Sequence, residues 1–456
     1  MSGMAHTRTA GTRPRAGYGG FNGARARARD RVRAETGQAL VEMAGTGTKA
    51  FPLLARENTY THASPGVCDK CAQDADVRAA WADLLLGQLP SHRVQAKRSE
   101  AMGLGAVRYA DYEKFEELYE AWLVAMKQPS YVPPEPPTLL WMVAEKERLV
   151  AQCGLGDTFA AMKSEEGAVA LAMYPELVSE LDHARNHAAP HDDGVPEELA
   201  LALACCLAGN LFDAGAAQLL ASETFCDEDE CEISYDEEGA PGLVLNQEKV
   251  AETFRAARAY CERGAWRFDD AAALASRLGS TRRAIIFCDN AGADTMGMVL
   301  FARTLLGLMD DGAVVALAAN SEPALNDVTF AELCDFVERA RKVDDVLDAH
   351  VASGRLALLP TGQNTTLLDL GSVSDELHAW TTAELGDCPE PEDWLVVLDG
   401  MGRSLESNWN AFQYVAPGAS VLSLAMIKSE INAERLRANV KDCVVRLRRG
   451  GEKEET

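Results

Sequence analysis

The chain has 456 residues, of which 47% are hydrophobic, and its formal net charge is −26. This length allows two or three domains, and the apolar fraction supports a sizeable core, which excludes a disordered protein. The acidic balance argues against nucleic acid or an anionic membrane as a partner, because both select basic surfaces. No apolar stretch approaches the roughly 20 residues that a membrane span requires.

Residues 1–49 are predicted to form a basic tail. The first 33 residues contain eight arginines and one aspartate, and they show no apolar periodicity. This composition is typical of disorder. The alternative is an organelle transit peptide, which is also Arg-rich and acid-poor. We therefore expect a cytoplasmic protein, or a plastid or mitochondrial one if the tail directs import. Residues 451–456 are a second, short tail.

Residues 50–280 are predicted to form a mainly helical N-terminal domain. Their apolar residues recur three and four positions apart, which is the period of an amphipathic helix. Cys68 and Cys71 form a CxxC in this region, and Cys226 and Cys231 flank an acidic segment. Because a structural zinc site usually needs two such pairs close together in the sequence, free thiols are favoured over zinc.

Residues 281–450 show a strand–helix rhythm. Near-continuous apolar runs predict strands, and amphipathic helical patterns fall between most of them. The predicted strands are 284–287, 313–319, 355–360, 394–399, 420–427 and 443–448. Apolar strands alternating with helices indicate an α/β domain with a mostly parallel, doubly wound (Rossmann-like) sheet flanked by helices.

Polar side chains follow five consecutive strands of this predicted sheet. They are Asp289 and Asn290, Asn320 and Asp327, Thr361 to Asn364, Asp399 and Arg403, and Lys428. In open α/β sheets the ligand crevice lies beyond the carboxyl ends of the strands. We therefore predict that these groups form a single site.

The residue types in this set point to phosphate chemistry. Asp289, Asn290 and Asp327 supply carboxylate and amide oxygens, which are hard ligands suited to Mg²⁺ or Mn²⁺. Arg403 and Lys428 are cations suited to phosphate oxygens, and the guanidinium can bind two oxygens at once. A metal with two cations is typical of phosphoryl transfer, where positioning and charge neutralisation dominate.

Several rival classes lack their motifs. No GxGxxG or GxxxxGK[ST] is present at the first strand, and no GxSxG occurs, which argues against nicotinamide cofactors, P-loop nucleotide binding and serine hydrolases. A haloacid-dehalogenase phosphatase needs an aspartate where this chain has Ala291. Two alternatives stay open: an S-adenosylmethionine-dependent methyltransferase, and a catalytically silent binding module. The missing Gly-rich turn weakens the first, and the cost of an idle buried carboxylate pair weakens the second.

Five motifs resemble those of the metal-dependent damage-control phosphatases and occur in the same order. They are AGNLFD (208–213), DNAGAD (289–294), LAANSEPALNDVT (317–329), DGMGRSLESNWNAF (399–412) and MIK with the following AERL (426–436). The likeness is strongest to the 4′-phosphopantetheine phosphatase domain of type 4 pantothenate kinases, and it spans roughly residues 50–450. The chain departs from that pattern because it has no kinase domain and carries Asp399 where a glutamate is usual.

The resemblance implies a phosphatase with a divalent metal ion (Mn²⁺, Co²⁺, Ni²⁺ or Mg²⁺) held by Asp289, Asn290 and Asp327. It also implies hydrolysis of 4′-phosphopantetheine and its oxidised or damaged forms, which restrains coenzyme A synthesis. Other small phosphate esters, such as sugar phosphates, are the alternative substrates. A direct attack by water is favoured over an aspartyl-phosphate intermediate. The residues assigned to catalysis are Asp289, Asp327, Arg403 and Lys428, and those assigned to substrate binding are Asn210, Asn320, Arg403 and Lys428.

Overall fold

The computed structural model describes most of the chain after the basic tail. The described ranges are 49–55, 59–61, 75–132, 138–211, 233–235, 241–243, 247–264 and 266–452, and of these 233–235, 241–243 and 247–250 are described by their backbone only. The tail, the CxxC and the acidic segment around Cys226 and Cys231 lie outside these ranges. Within them, no helix is both long enough and apolar enough to cross a membrane.

Helices and strands are numbered separately in chain order over the described residues. The α-helices are α1 Ala75–Ala101, α2 Tyr109–Met126, α3 Leu139–Gln152, α4 Ala160–His187, α5 Glu197–Leu211, α6 Gln247–Tyr260, α7 Ala271–Leu278, α8 Ala293–Leu308, α9 Phe330–Ala340, α10 Asp345–Ser353, α11 Asp375–Asp387 and α12 Glu430–Leu436. The strands are β1 Ile233–Tyr235, β2 Pro241–Leu243, β3 Trp266–Asp269, β4 Arg283–Phe287, β5 Val314–Ala319, β6 Leu356–Pro360, β7 Trp394–Asp399, β8 Ser420–Met426 and β9 Cys443–Arg449. A short π-helix, Met401–Glu406, follows β7.

The main sheet has seven strands in the order β3-β9-β8-β7-β4-β5-β6. The five strands from β8 to β6 are parallel to their neighbours, whereas β9 runs antiparallel to β8. The six predicted strands correspond to β4 through β9, so the mostly parallel α/β sheet is confirmed. The edge strand β3 and the hairpin of β1 and β2 are not predicted by the apolar pattern.

Alternate residues along each strand point to opposite faces of the sheet. Each face packs against other parts of the chain and contributes to a hydrophobic core. All six residues of β5 and all six of β7 are buried. Ile286 and Val397 join a core formed with α4, α5 and α8, while Ile285 and Val396 join a second core on the other face. Sheets buried on both faces require continuous apolar strands, which explains why these runs are readable in the sequence.

The helical region before the sheet contributes to more than one core. Helices α4 and α5 share the larger core with α8 and the sheet. Helices α1, α2 and α3 bury aromatic side chains such as Tyr112, Phe115 and Tyr119 in a core of their own. The stacked rings of Phe115 and Tyr119 lie 5.3 Å apart between centroids. Leu367, in the loop that follows β6, packs into this third core. The helical layer therefore lies near the carboxyl end of β6.

The strand order changes direction at β4. From β4 the chain moves outward through β5 to β6, and it then returns to pair β7 with the other side of β4. The connection after β4 leads to β5 on one side, and the connection after β7 leads to β8 on the opposite side. A crevice opens at such a switch point, beyond the carboxyl ends of the strands on either side of it. We therefore expect the functional site beyond the carboxyl ends of β4, β5 and β7.

Candidate metal and phosphate site

Three neighbouring strands end in buried polar residues at this switch point. Asp289 lies two residues after β4, Asn320 directly follows β5, and Asp399 is the last residue of β7; all three are buried. The backbone N–H of Asp289 donates to Oδ2 of Asp399 at 3.3 Å. Two carboxylates from adjacent parallel strands thus meet at one edge of the sheet.

The loop after β5 folds back over β4 and brings Asp327 into the same site. Val328 donates its N–H to the carbonyl of Asp289 at 2.9 Å, and Ala291 donates to the carbonyl of Asn326 at 2.9 Å. Asn290 and Asp327 form an isolated antiparallel bridge. Because both ends of this loop are hydrogen-bonded to the strand edge, the position of Asp327 is fixed by backbone contacts rather than by its own side chain.

Asn290 links two carboxylates through its amide nitrogen. Nδ2 of Asn290 donates to Oδ2 of Asp289 at 2.9 Å and to Oδ2 of Asp294 at 3.0 Å. The backbone N–H of Asn290 also donates to Oδ2 of Asp294, at 3.0 Å. Asp294 lies in the first turn of α8, where the positive end of the helix dipole favours a carboxylate. The side-chain carbonyl oxygen of Asn290 (Oδ1) therefore faces away from these two acids.

The acids at this site carry strongly perturbed pKa values. Burial, and then the charge of Asp289, raise the pKa of Asp294 to about 7. Burial, and then the charges of Asp294 and Asp289, raise the pKa of Asp399 well above its usual value. Oδ1 of Asp294 and Oδ1 of Asp399 are buried and accept no hydrogen bond within the described part of the chain. Burial and mutual repulsion therefore favour the protonated forms of Asp294 and Asp399, and a further cation beside them would favour the ionised forms.

Arg403 is the buried cation of the site. Its guanidinium forms ion pairs with Asp289 through Nη1 and with Asp327 through Nη2, the second at 2.6 Å. Nη2 also donates to Oδ1 of Asn320 at 3.2 Å. Burial lowers the pKa of Arg403, but the charges of Asp327 and Asp289 outweigh it and hold the pKa above its usual value. The planar fork of arginine suits this bridge between two carboxylates.

Asn210 and Lys428 approach the acids from the other side. Nδ2 of Asn210 donates to Oδ2 of Asp289 and to Oδ2 of Asp294, each at 3.4 Å. Nζ of Lys428 donates to the backbone carbonyl of Asn210 at 2.5 Å. Helix α5 can come this close because a Cβ on Gly209 would stand 2.6 Å from Cα of Asp294. The two helices therefore cross with their backbones in direct contact.

The predicted site residues are thus brought together. Asp289, Asn290, Asn320, Asp327 and Arg403 are joined by direct side-chain contacts. Asn210 touches two acids, and Lys428 is attached through the Asn210 backbone. The predicted polar residues after β6 behave differently, because the Gln363 amide donates to carbonyls of its own loop. Asp213, the last residue of the AGNLFD motif, lies outside the described residues.

Sequence reasoning assigned no role to Asp294. It lies in the quoted DNAGAD motif, one helical turn after Asn290, and this spacing is the signal that could have found it. A carboxylate in the first turn of a helix can accept a hydrogen bond from a backbone N–H that precedes the helix, as Asp294 does from Asn290.

Gly400 packs directly against the side chain of Asp289, and we expect Gly400→Ala to disrupt the site. Its φ is +82°, and a Cβ there would lie 2.0 Å from Oδ2 of Asp289. Alanine therefore meets both backbone strain and a collision with a buried carboxylate. We expect phosphate release to fall by about a hundredfold, as for loss of one preorganised charged contact. Gly312→Ala is the matched control, because none of the described residues has an atom within 4 Å of a Cβ there. Equal activity of the two variants would contradict this account.

The residues present fit a hard divalent cation. The site offers carboxylate and amide oxygens. Oδ1 of Asp294 and Oδ1 of Asp399 are buried and accept no hydrogen bond from the described residues, whereas Asp289 and Asp327 are paired with Arg403. Among the described residues, no three His, Cys, Asp or Glu side chains are arranged to hold one ion by themselves. The candidate ligand set accordingly includes an amide, that of Asn290, beside Asp289 and Asp327.

The fold and the site define a doubly wound α/β enzyme with an oxygen-rich centre built from carboxylates, amides and one buried arginine. Residues 110–444 match the model of the family described as the damage-control phosphatase ARMT1-like domain. This match covers most of the chain, so the chain belongs to the ARMT1-like damage-control phosphatase family and is a phosphatase.

Three individual proteins are similar in sequence to this chain. The chain is 30% identical to a damage-control phosphatase of Arabidopsis thaliana, over 81% of this chain and 87% of the relative. It is 32% identical to pantothenate kinase 2 of the same plant, over 87% of this chain and 41% of the relative. It is 25% identical to the 4′-phosphopantetheine phosphatase of Mus musculus, over 85% of this chain and 47% of the relative. The chain thus spans less than half the length of the last two proteins.

Proposed function

We propose that this chain is a metal-dependent phosphatase that hydrolyses 4′-phosphopantetheine and its oxidised or damaged forms. Such an activity would remove damaged intermediates and restrain coenzyme A synthesis. The observation that carries the metal-dependent part is the cluster of buried acids at the switch point, where Oδ1 of Asp294 and Oδ1 of Asp399 accept no hydrogen bond from the part of the chain that the structure describes. The substrate is suggested by the mouse relative named 4′-phosphopantetheine phosphatase.

Asp289, Asn290 and Asp327 would hold the cation. When bound, a divalent ion would neutralise a phosphate oxygen and lower the pKa of a water molecule. The raised pKa values of Asp294 and Asp399 support a cation at this place, because a divalent ion would stabilise the ionised forms of acids that burial and mutual repulsion otherwise disfavour. Rotation of the Asn290 amide would turn its carbonyl oxygen toward the acids.

Arg403 and Lys428 supply the positive charge for the phosphate. A guanidinium has five N–H donors, so Arg403 retains donors beyond its contacts with Asp289, Asn320 and Asp327. It stabilises charge that develops on the transferred phosphoryl group. Asp294, with a pKa near 7, is ionised in part at neutral pH, and Asp327 or one of the neighbouring carboxylates accepts the proton of the attacking water.

The decisive experiment measures phosphate release from a substrate panel with each divalent ion. The panel contains 4′-phosphopantetheine, its disulfide form, sugar phosphates and nucleotide phosphates, assayed with Mn²⁺, Co²⁺, Ni²⁺, Mg²⁺ or a chelator. We expect release only with a divalent ion, and the highest kcat/KM for the two pantetheine phosphates. Full activity in chelator would refute metal dependence, while a preference for sugar phosphates would make the alternative substrate class correct.

A further inference from the structure

Helix α4 carries two exposed histidines one turn apart near its C-terminal end. His183 and His187 are both exposed to solvent, and His187 is the last residue of the helix. Residues four positions apart are neighbours on the same helix face. Within the described part of the chain, no hydrogen bond or ion pair engages either imidazole. Their ring nitrogens are therefore available to a ligand from solution.

The separation of the two rings matches that of a metal chelate. Their centroids lie 4.9 Å apart, and the ring planes are tilted by 46° rather than stacked. An imidazole nitrogen binds Zn²⁺ at about 2.0–2.1 Å, which places the ring centroid about 3.2 Å from the ion. Two rings with an N–metal–N angle of about 90–110° then have centroids about 4.5–5.2 Å apart. The helix thus already holds the two rings at the separation that a bridging ion requires.

The charges around the histidine pair are compatible with a cation. Arg185, which lies between the two histidines in the sequence, pairs with Glu198 of α5 at 2.6 Å. Glu180, one turn before His183, pairs with Arg258 of α6 at 2.6 Å. The free carbonyl groups in the last turn of a helix carry a partial negative charge, which favours a cation beside His187. The arginine in the same turn is therefore neutralised by an acid, while the helix dipole attracts the ion.

Two imidazoles are the ligands that the described residues supply. His191 lies four residues after His187, but it is beyond the end of the helix, and its Nε2 lies 2.8 Å from Oε2 of Glu197. No three His, Cys, Asp or Glu side chains in the described ranges are arranged to hold one ion. Water would complete the coordination sphere. We therefore expect reversible binding that depends on both His183 and His187.

The histidine pair is remote from the candidate metal and phosphate site. Lys163, in the first turn of α4, donates to the backbone carbonyl of Asp327 at 3.5 Å. His183 lies more than five turns further along the same helix, a distance of about 30 Å. An ion held by His183 and His187 therefore cannot contact a phosphate group beside Asp327.

The ligand atoms determine which ions each site prefers. The candidate metal and phosphate site offers carboxylate and amide oxygens, which suit Mg²⁺ and Mn²⁺, whereas imidazole nitrogens suit Cu²⁺, Ni²⁺ and Zn²⁺. The affinity of such nitrogen sites rises from Mn²⁺ through Co²⁺ and Ni²⁺ to Cu²⁺. We therefore expect Ni²⁺ to bind the histidine pair under conditions in which Mn²⁺ does not.

We propose that His183 and His187 form a second metal site, on the surface of α4, that binds Ni²⁺, Cu²⁺ or Zn²⁺ through two imidazole nitrogens. This site is additional to the cation proposed at Asp289, Asn290 and Asp327, and it does not rest on the proposed function. Its consequence is that ions of this group bind the protein at a place where they take no part in phosphate chemistry.

The test measures Ni²⁺ binding to the full-length protein by isothermal titration calorimetry. The variants are His183→Ala, His187→Ala and the double variant, and the control is His378→Ala, which removes a histidine on α11. Alanine is chosen because it cannot ligate a metal and is the best helix former. We expect the wild type and the control to bind one Ni²⁺ ion more per chain than the double variant. Each single variant should weaken this site about tenfold or more, because the chelate loses one of its two ligands.

Phosphate release with Mn²⁺ shows whether the histidine pair is separate from the candidate metal and phosphate site. We expect the double variant to keep the wild-type rate, because both side chains are exposed and remote from Asp327. The same Ni²⁺ stoichiometry and affinity in the wild type and the double variant would overturn the second site. So would a double variant that loses its Mn²⁺-dependent activity while it stays folded. A wild-type protein that releases no phosphate with any ion overturns the proposed function alone, because calorimetry still decides this inference.

Discussion

Asp289→Asn is expected to lower kcat/KM for metal-dependent phosphate release by about a thousandfold, the upper range for loss of one preorganised charged group. The substitution keeps the size of the side chain and removes one charge from the place where β4, β5 and β7 end. It also relieves repulsion with Asp294 and Asp399, whose pKa values the Asp289 charge raises. We therefore expect the variant to remain folded, with a lower pKa at both remaining acids.

A second readout separates loss of metal binding from loss of chemistry. A ligand that binds only the native state at 100 times its Kd stabilises it by about 2.7 kcal/mol, so Mn²⁺ should raise the Tm of the wild-type protein. The shift should vanish in Asp289→Asn and persist in Asp335→Asn, which changes an exposed aspartate on α9. Wild-type activity in Asp289→Asn, or an undiminished Tm shift, would show that the ion binds elsewhere.

Arg403→Met is expected to destabilise the metal-free protein by about 3–5 kcal/mol, the cost of removing one partner of a buried ion pair. The guanidinium is 1% exposed and neutralises Asp289 and Asp327 together. Its loss leaves two buried carboxylates without their cation. Urea unfolding measures the change, and kcat should fall as well, because in the proposed function Arg403 also stabilises the phosphoryl group.

Three comparisons define the role of the guanidinium. Arg339→Met removes an exposed ion pair on α9 and should change the unfolding free energy by less than about 1 kcal/mol. Arg403→Lys should recover part of the stability, since lysine restores the charge but not the planar fork. Mn²⁺ should recover part of it in Arg403→Met. A metal-free Arg403→Met protein as stable as the wild type would refute the ion-pair account.

Most of the sheet could be predicted because its strands are buried on both faces. Continuous apolar runs such as 394–399 mark β7 residue for residue. The four residues of β3 include Arg267 and Asp269 and alternate between buried and exposed positions. Such a short edge strand resembles a loop in sequence. The antiparallel direction of β9 was also unpredictable, since an apolar run carries no information about which neighbour it pairs with.

The candidate site was predictable where strand ends determine it and unpredictable where helix packing does. Asp289, Asn320 and Asp399 follow from the rule that parallel strands end at one edge. The contact of Asn210 with Asp294 depends on α5 and α8 crossing at Gly209, which no local pattern reveals. Lys146 and Glu147 lie in a charged run that is typical of a solvated helix face. Only tertiary packing leaves their side chains 8% and 10% exposed.

The bridge that Arg403 makes between Asp289 and Asp327 also bears on loss of the ion. Many small metalloproteins unfold when their ion is removed, because nothing else holds the ligands together. Here Arg403 already links Asp289 and Asp327, so for the metal site proposed above we expect these two ligands to keep their positions when the ion is removed. If the proposed metal dependence is correct, removal of the ion would abolish the activity without unfolding the protein, and adding the ion back would restore the activity.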